Sequence, residues 1–350
     1  MPDQNIVKTT YEFKELELLE AQITQTQMPE DLKAKSLTQL ERLNRMAKFG
    51  SYSAEFEVVS RWISWIVALP WESFSQDQLD LVKAQAILDT HHFGMQKIKD
   101  RILEYLATLK LSGGTSRATI LCLIGLPGIG KTTVAEAVAD CLNREFIRIA
   151  MGGMGSATQL RGVSKNLPNA EPGEIIKGLR RVKTRNPVIL FDELDRVAAS
   201  AISDVMGVLL EILDVEQNQS FTDYYIDYPF DLSKALFMCS ANNTGGIANA
   251  VLDRLEVLEM PSYTDEEKKI IGQKYLLPKA LKASGLTLEQ VQIAPEIWDT
   301  IIRPLGYDAG IRTLDRTIRG ICGRAARMIV EGKGTSFALN ETNIKEFLTT

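Results

Sequence analysis

The stretch G-L-P-G-I-G-K-T-T at residues 125–133 constrains the fold of this chain more than any other feature. It follows the apolar run A-T-I-L-C-L-I-G and precedes an alanine-rich helical pattern. In a G-x-x-x-x-G-K-[ST] turn, glycines allow backbone N–H groups to wrap around phosphates. The positive end of the following helix attracts the same phosphates. The sequence therefore predicts a phosphate-binding loop in an α/β domain.

Individual residues of this loop have distinct predicted roles. Lys131 can reach the outer phosphates of a nucleotide, and the Thr132 hydroxyl can ligate Mg²⁺. A glycine-rich turn can also precede a helix by chance, but the position between a buried strand and a helix argues against that reading. We therefore expect ATP and Mg²⁺ as cofactors. The other predicted nucleotide-binding residues of the stretch are Gly125, Pro127, Gly128, Gly130 and Thr133.

Three further apolar runs alternate with helical segments between about residues 111 and 262. They are E-F-I-R-I-A, N-P-V-I-L-F-D-E and K-A-L-F-M-C-S-A-N. Runs that are apolar at every position indicate strands buried on both faces. The predicted fold class is therefore an α/β P-loop core, in which helices flank a parallel sheet.

Helical patterns lie on the N-terminal side of this core. Residues 9–49 carry apolar side chains three and four positions apart, which predicts two helices with a break at Met28–Pro29. A strongly apolar helix that ends at Pro70 follows. Trp62, Trp65 and Trp71 lie in or near this helix, and we expect them to pack between helices.

The C-terminal part is also predicted to be helical. Thr264 followed by Glu267 fits a capping box at the start of its first helix. Residues 335–339 can add one strand. We therefore expect an N-terminal helical region at 1–108, an α/β core at 109–262 and an α-helical lid at 263–350.

Composition narrows the function classes. With 45% hydrophobic and 24% charged residues, the 350-residue chain is an ordinary globular mixture. Its net charge of −5 gives no overall attraction to nucleic acid or to an anionic membrane, so a nucleic-acid remodelling role has little support. No run reaches membrane-spanning length. The four widely spaced cysteines form no C-x-x-C pair, so we expect core cysteines and a cytoplasmic location.

Two acidic residues end the run V-I-L-F-D-E. Asp192, at the end of the predicted strand, can hold Mg²⁺ through water, and Glu193 can orient or deprotonate an attacking water. An acidic residue at a strand end means little alone. Downstream of a phosphate-binding loop, the pair predicts ATP hydrolysis.

Three polar residues complete the predicted catalytic set. Asn242 ends the next apolar run, where it can position a water, although asparagine is also a common turn residue. Arg254 and Arg312 are candidates to stabilise the charge of phosphoryl transfer from another subunit or domain. By sequence alone, each arginine is equally compatible with a solvated surface charge.

The order of these motifs resembles the AAA+ ATPases, and more narrowly the ATPase part of the Lon protease family. The order runs from the phosphate loop through the acidic strand end, the asparagine and L-D-R to an arginine in a helical lid. The resemblance covers most of residues 10–347. The stretches that carry it include A-L-P-W, M-G-G-M, L-L-E-I-L-D-V-E-Q-N-Q-S-F-T-D, P-F-D-L-S-K and L-D-R-L-E-V-L-E-M-P-S-Y-T-D-E-E-K.

This resemblance implies a homo-oligomeric ring, usually a hexamer, that threads unfolded polypeptide through its pore with energy from ATP. It also implies that Arg254 completes the site of a neighbouring subunit and that Arg312 is the sensor of the lid. His92, Phe93 and Gly94 match the H-Y-G segment that lies near the adenine in the family, with Phe in place of Tyr.

The sequence departs from the family pattern in two places. The family's Ser–Lys dyad follows the lid around a P-x-x-G-P-S-A-G motif, which these residues lack, so we expect no peptidase activity from them. In the presumed pore loop, residues 161–174, relatives carry an aromatic followed by an aliphatic residue. Ungapped counting from Gly152–Gly153 puts Leu167 and Pro168 there. Leu167 can still supply apolar contact, but the loop is equally compatible with a lost role.

Two functions of different classes follow. The leading one is an ATP-dependent motor that unfolds or translocates polypeptide. The alternative is a nucleotide-binding assembly or regulatory module for a separate protease or another partner protein, which the missing protease motif and the altered pore loop favour.

Overall fold

A computed structural model of the chain describes residues 4–48, 54–112, 119–303 and 310–348. Three helices begin it: α1 (Gln4–Gln25), α2 (Glu30–Lys48) and α3 (Ala54–Val67). The break between α1 and α2 contains Met28–Pro29, as the sequence predicts. Trp62 in α3 is 1% exposed, and its indole N–H donates to the carbonyl of Ile226 at 2.9 Å. The tryptophan therefore joins the N-terminal helices to the α/β core, which confirms its predicted packing role.

Helices α4 (Leu81–His91) and α5 (Gln96–Leu111) precede the first strand. Asp80 caps α4, because its carboxylate accepts the N–H groups of Val82 and Lys83. Ile102 and Leu106 of α5 are buried in the same apolar cluster as α6 and β1. The boundary predicted at 108/109 therefore falls inside a helix that packs against the core.

Within the described residues, the central sheet has five strands in the order β2-β3-β6-β1-β7, and every neighbouring pair is parallel. This confirms the predicted α/β fold class. The elements of this region are β1 (Ile120–Ile124), α6 (Lys131–Leu142), β2 (Phe146–Ala150), α7 (Thr158–Arg161), α8 (Glu174–Val182), β3 (Val188–Asp192), α9 (Ile202–Leu213), β4 (Phe221–Asp223), β5 (Tyr228–Phe230), β6 (Leu236–Ala241), α10 (Asn249–Leu252) and β7 (Leu255–Glu259).

Strand β3 is buried at every position, which explains its run of four apolar residues before Asp192. Ile189 and Phe191 belong to the core shared with α1–α3, α8 and α9. Val188 and Leu190 face the opposite core, shared with α4–α6. Full burial of each such side chain stabilises the fold by about 1.5–3 kcal/mol. The two cores fix the sheet between helical layers and align the carboxyl ends of its strands.

Residues after Tyr263 form a separate helical unit with its own core. Its first helix begins with the predicted capping box: Thr264 accepts the N–H of Glu267, and Glu267 accepts the N–H of Thr264. The elements are α11 (Asp265–Ile271), a π-helical turn (Gly272–Leu276), α12 (Leu277–Ala283), β8 (Val291–Ile293), α13 (Trp298–Ile302), α14 (Arg312–Val330), β9 (Phe337–Leu339) and α15 (Ile344–Phe347).

Two further expectations from the sequence are confirmed, one about the cysteines and one about a strand. All four cysteines, Cys122, Cys141, Cys239 and Cys322, are buried and free. Strand β9 lies within the predicted 335–339 segment and pairs in parallel with β8. Among the helices of the described segments, none is both long and apolar enough to cross a membrane.

Candidate nucleotide-binding and catalytic site

The predicted phosphate loop connects the end of β1 to the start of α6. Gly128 and Gly130 have φ values of 83° and 100°, which residues other than glycine rarely adopt. Helix α6 starts at Lys131 without a side-chain cap from any described residue. Its first backbone N–H groups are therefore available to an anion.

The Lys131 ammonium group lies at the mouth of this loop. Its Nζ donates to the carbonyls of Gly125 at 2.5 Å and Leu126 at 3.1 Å, and to Oδ1 of Asn242 at 3.1 Å. Burial lowers the pKa of Lys131, against the opposing attraction of Asp192 and Asp195. The loop thus holds a cation where the outer phosphates of a nucleotide would lie.

The Asp192 side chain is 5% exposed, and its carboxylate accepts three hydrogen bonds from side chains in the described part of the chain. Ser240 donates to Oδ1, while Arg148 Nε and the Thr132 hydroxyl donate to Oδ2 at 2.6 Å and 3.3 Å. Burial opposes ionisation of Asp192, but the bonds from Ser240 and Arg148 outweigh it and lower the pKa. Asp192 is therefore ionised at neutral pH.

The chemistry of these donors fits a hard divalent cation. Thr132 and Asp192 lie together at the start of α6 and the end of β3, and oxygen ligands of this kind suit Mg²⁺. Across the described ranges, no group of three or more His, Cys, Asp or Glu could hold a metal ion unaided. A cation at this site would therefore share its coordination with phosphate and water.

Glu193 has a left-handed backbone conformation, with φ 60° and ψ 47°. Such a conformation in a residue other than glycine is uncommon and often occurs at functional sites. The Glu193 N–H donates to the hydroxyl of Ser240 at 3.1 Å, and its carboxylate lies 3.6 Å from Arg196. Glu193 lines the same cleft as Asp192. A carboxylate placed in this way can accept a proton from water.

Asn242 is held by Asp195, a residue outside the set predicted from the sequence. Asp195 accepts the backbone N–H of Asn242 at 3.0 Å and its side-chain N–H at 3.2 Å. This orients the Asn242 Oδ1 atom towards Lys131. The signal was present in the sequence, since Asp195 follows Asp192 by three residues in D-E-L-D.

The C-terminal unit contacts the phosphate loop directly. The N–H of Ile311 donates to the carbonyl of Gly128 at 3.0 Å. A Cβ atom at Gly128 would lie 3.0 Å from Cγ of Arg312. Arg312 therefore lies against the loop, in a cleft of about 300 Å³. This cleft is also lined by residues that no sequence motif predicts: Leu276, Lys279, Asp315 and Arg319.

His92 lies behind the loop rather than among the residues that line the cleft. It is 6% exposed, and a Cβ atom at Gly130 would lie 3.1 Å from its Cε1 atom. Burial lowers the pKa of His92 to about 4. Phe93 packs against the core of α4–α6, and Gly94, with φ 65°, lies next to Glu267 of α11. The segment thus lies between the loop and the lid.

Arg254 lies outside the cleft of its own chain. It follows α10, and its guanidinium donates to the carbonyl of Ala250 at 3.0 Å and to Asp214 at 3.4 Å. The next residue, Leu255, pairs with Ile120 at the start of β1. Arg254 is therefore at the amino edge of the sheet, opposite the phosphate loop.

The presumed pore loop lies between α7 and α8. Leu167 is 56% exposed, and Pro168 is exposed beside it. The base of the loop is fixed, because Val163 donates to the carbonyl of Glu171 and Gly173 donates to Asp223. The loop therefore presents its tip, which carries no aromatic residue, to solvent.

Comparisons with known proteins agree with this geometry. Residues 121–262 match the ATPase family associated with various cellular activities (AAA). Residues 282–337 match the Lon protease AAA+ ATPase lid domain. The two matches cover the sheet with its phosphate loop and most of the helical unit that contacts it.

Curated relatives extend the similarity to nearly the whole chain. The Lon protease of Heliobacterium modesticaldum is 40% identical over 330 residues, 94% of this chain and 40% of the relative. The Lon protease of Lawsonia intracellularis is 41% identical over 335 residues, 96% and 40%. Lon protease 1 of Bacillus subtilis is 40% identical over 334 residues, 95% and 43%. The chain therefore spans about two fifths of the length of the relatives that it matches.

Proposed function

Because this chain is a Lon-type AAA+ ATPase region, we propose that it hydrolyses ATP in a homo-oligomeric ring, a hexamer, to unfold or translocate polypeptide. The observation that carries the proposal is the convergence of Lys131, Asp192, Glu193 and Asn242 in one cleft beneath the lid. Each group has a role in phosphoryl transfer to water.

Each residue has a proposed task in that reaction. Lys131 and Arg312 compensate phosphate charge from the loop and from the lid. Glu193 accepts a proton from the attacking water, and Asn242 orients that water. Thr132 and Asp192 would hold Mg²⁺, which when bound neutralises charge on the transferred phosphoryl group. His92, Phe93 and Gly94 are proposed to border the base.

The position of Arg254 supports a ring. At the amino edge of the sheet it is remote from the phosphate loop of its own chain, so it can contact phosphate only across a subunit interface. An arginine supplied in this way stabilises transition-state charge in many nucleotide hydrolases. We therefore assign Arg254 to the site of the neighbouring subunit.

Polypeptide handling is the finer part of the proposal. The relatives are named as proteases, and Leu167 and Pro168 are exposed at the tip of a loop with a fixed base. The absent aromatic residue favours a second candidate, a nucleotide-binding assembly or regulatory module for a separate protease or another partner protein. The domain bounds, the cytoplasmic location and the lack of peptidase activity stay predictions.

Steady-state ATP hydrolysis, measured across protein concentration with and without denatured casein, tests the proposal. We expect a rate per subunit that rises with concentration and rises again with casein. Lys131→Ala should lose nucleotide binding, whereas Glu193→Gln should bind ATP and scarcely hydrolyse it. Hydrolysis that depends on assembly but ignores casein would favour the second candidate. Unchanged ATP affinity in Lys131→Ala would contradict the assignment of the loop.

A further inference from the structure

Both oxygens of the Asp192 carboxylate already accept hydrogen bonds from protein donors, and Oδ2 accepts two of them. Oδ1 accepts the Ser240 hydroxyl, and Oδ2 accepts both Thr132 and the guanidinium of Arg148. With 5% of its side chain exposed, Asp192 has little room for a further ligand. A divalent cation that binds at Oδ2, directly or through water, therefore requires Thr132 or Arg148 to withdraw from that oxygen.

The three donors differ in their freedom to withdraw. Ser240 is fully buried in β6, and its hydroxyl also accepts the N–H of Glu193. Thr132 is itself a proposed metal ligand at the start of α6. Arg148 lies on the edge strand β2, and half of its side chain is exposed to solvent. Arg148 is therefore the donor that can leave at the smallest structural cost.

Electrostatic repulsion also identifies Arg148 as the donor that withdraws. The Arg148 Nε atom lies 2.6 Å from Oδ2, a charge-assisted hydrogen bond. A divalent cation at Oδ2 would lie within a few ångströms of the guanidinium, and like charges at that separation repel. The cation and Arg148 therefore cannot both occupy Oδ2.

We propose that Arg148 is a displaceable guard of Asp192, which competes with the metal ion for Oδ2 and withdraws into solvent when the metal binds with nucleotide. This inference rests on the proposed function and adds a positioning residue to it. The guard weakens metal affinity. In exchange, it compensates the buried carboxylate whenever the metal has dissociated.

The test measures Mn²⁺ binding to the ADP complex by electron paramagnetic resonance of free Mn²⁺. Arg148→Gln keeps a polar side chain and removes the charge, so we expect about threefold to tenfold tighter Mn²⁺ binding. Arg148→Lys keeps the charge, so its Mn²⁺ affinity should be close to that of the unmodified protein. Arg196→Gln is the matched control, because it removes the same charge beside Glu193 without contacting Asp192. Its Mn²⁺ affinity should change by less than about twofold.

A separate measurement of ADP binding in EDTA distinguishes this inference from the proposed function. If the unmodified protein binds no ADP, the proposed function and the guard both fail. If ADP binds and the Mn²⁺ affinity of Arg148→Gln is unchanged or lower, Arg148 does not compete with the metal ion for Oδ2, and the ATPase assignment stands. Retained ADP affinity in Arg148→Gln also shows that the variant is folded.

Discussion

Gly152 lies directly against the carboxylate of Glu193: a Cβ atom at residue 152 would be 2.6 Å from Oε2. Glu193 has a left-handed backbone conformation, and its carboxylate lies 3.6 Å from the Arg196 guanidinium. The direction of this carboxylate therefore depends on the space that a glycine leaves beside it. The glycine follows β2, and the glutamate follows β3.

We predict that Gly152→Ala lowers the maximal rate of ATP hydrolysis by about tenfold or more, because the added methyl group displaces the Glu193 carboxylate. ADP affinity and thermal stability should be nearly unchanged, since the displaced atom is the end of a flexible side chain. Gly155→Ala is the control, because a Cβ atom there meets nothing within 4 Å. Full turnover in Gly152→Ala would remove Glu193 from the proposed chemistry.

Asp195 positions Asn242, and replacing it should affect turnover more than binding. In Asp195→Asn one carboxylate oxygen becomes an NH₂ group, which cannot accept an N–H, so one of the two bonds to Asn242 is lost. We expect the turnover number to fall about fivefold to tenfold, with the KM for ATP within about twofold. Asp204→Asn removes the same charge from an exposed site on α9 and should behave as the unmodified protein. A change confined to KM would show that Asp195 serves nucleotide binding instead.

The sequence predicts four strands of the parallel sheet, β1, β2, β3 and β6, from their mainly apolar runs. β1, β3 and β6 are central in the sheet and buried almost throughout, so their runs are apolar. The edge strand β7, L-E-V-L-E, is only partly buried, and its glutamates interrupt the run. β4, β5 and β8 are three-residue strands, which are too short to show a period. Tertiary packing, rather than local pattern, creates these four.

The residues of the candidate site also fall into two groups, those that the sequence predicts and those that only the fold brings together. The loop glycines, Lys131 and Asp192 are recognisable because their spacing along the chain carries the chemistry. Lys279 and Arg319 line the cleft from the lid, more than 140 residues after the loop, so only the folded arrangement brings them there. The sequence shows Arg148 only as a residue of the strand run E-F-I-R-I-A, and the fold brings its guanidinium to Asp192.

His92 should make stability depend on pH in the acidic range. Burial lowers the pKa of His92 from 6.5 to about 4. The imidazole is therefore protonated below pH 6.5 in the unfolded chain, but only below about pH 4 in the folded chain. Protonation therefore favours unfolding in this window, and stability falls as the pH falls. At pH 5 we expect a loss of about 2 kcal/mol relative to pH 7.5 from this residue.

Urea unfolding of the unmodified protein and of His92→Asn, each at pH 7.5 and pH 5, isolates this effect. Asp223 titrates in the opposite sense, because burial raises its pKa to about 6 and protonation then stabilises the fold. That contribution is common to both proteins and cancels in the comparison. If both proteins lose the same free energy of unfolding, the imidazole of His92 is not held neutral by burial.

Arg254 should act on the nucleotide of a neighbouring subunit, and mixing experiments can establish this. Arg254→Ala keeps its own phosphate loop, Asp192 and Glu193, so it should bind ATP normally and hydrolyse it slowly. Glu193→Gln lacks the catalytic carboxylate but still offers Arg254 to its neighbour. In mixed rings, an intact cleft of the first variant faces an intact Arg254 of the second, so activity should reappear above the sum of the separate rates.

A mixture of Glu193→Gln with Lys131→Ala has no intact cleft and should stay inactive. If mixing Arg254→Ala with Glu193→Gln restores nothing although the subunits co-assemble, Arg254 serves its own chain, and its contact with Asp214 is structural.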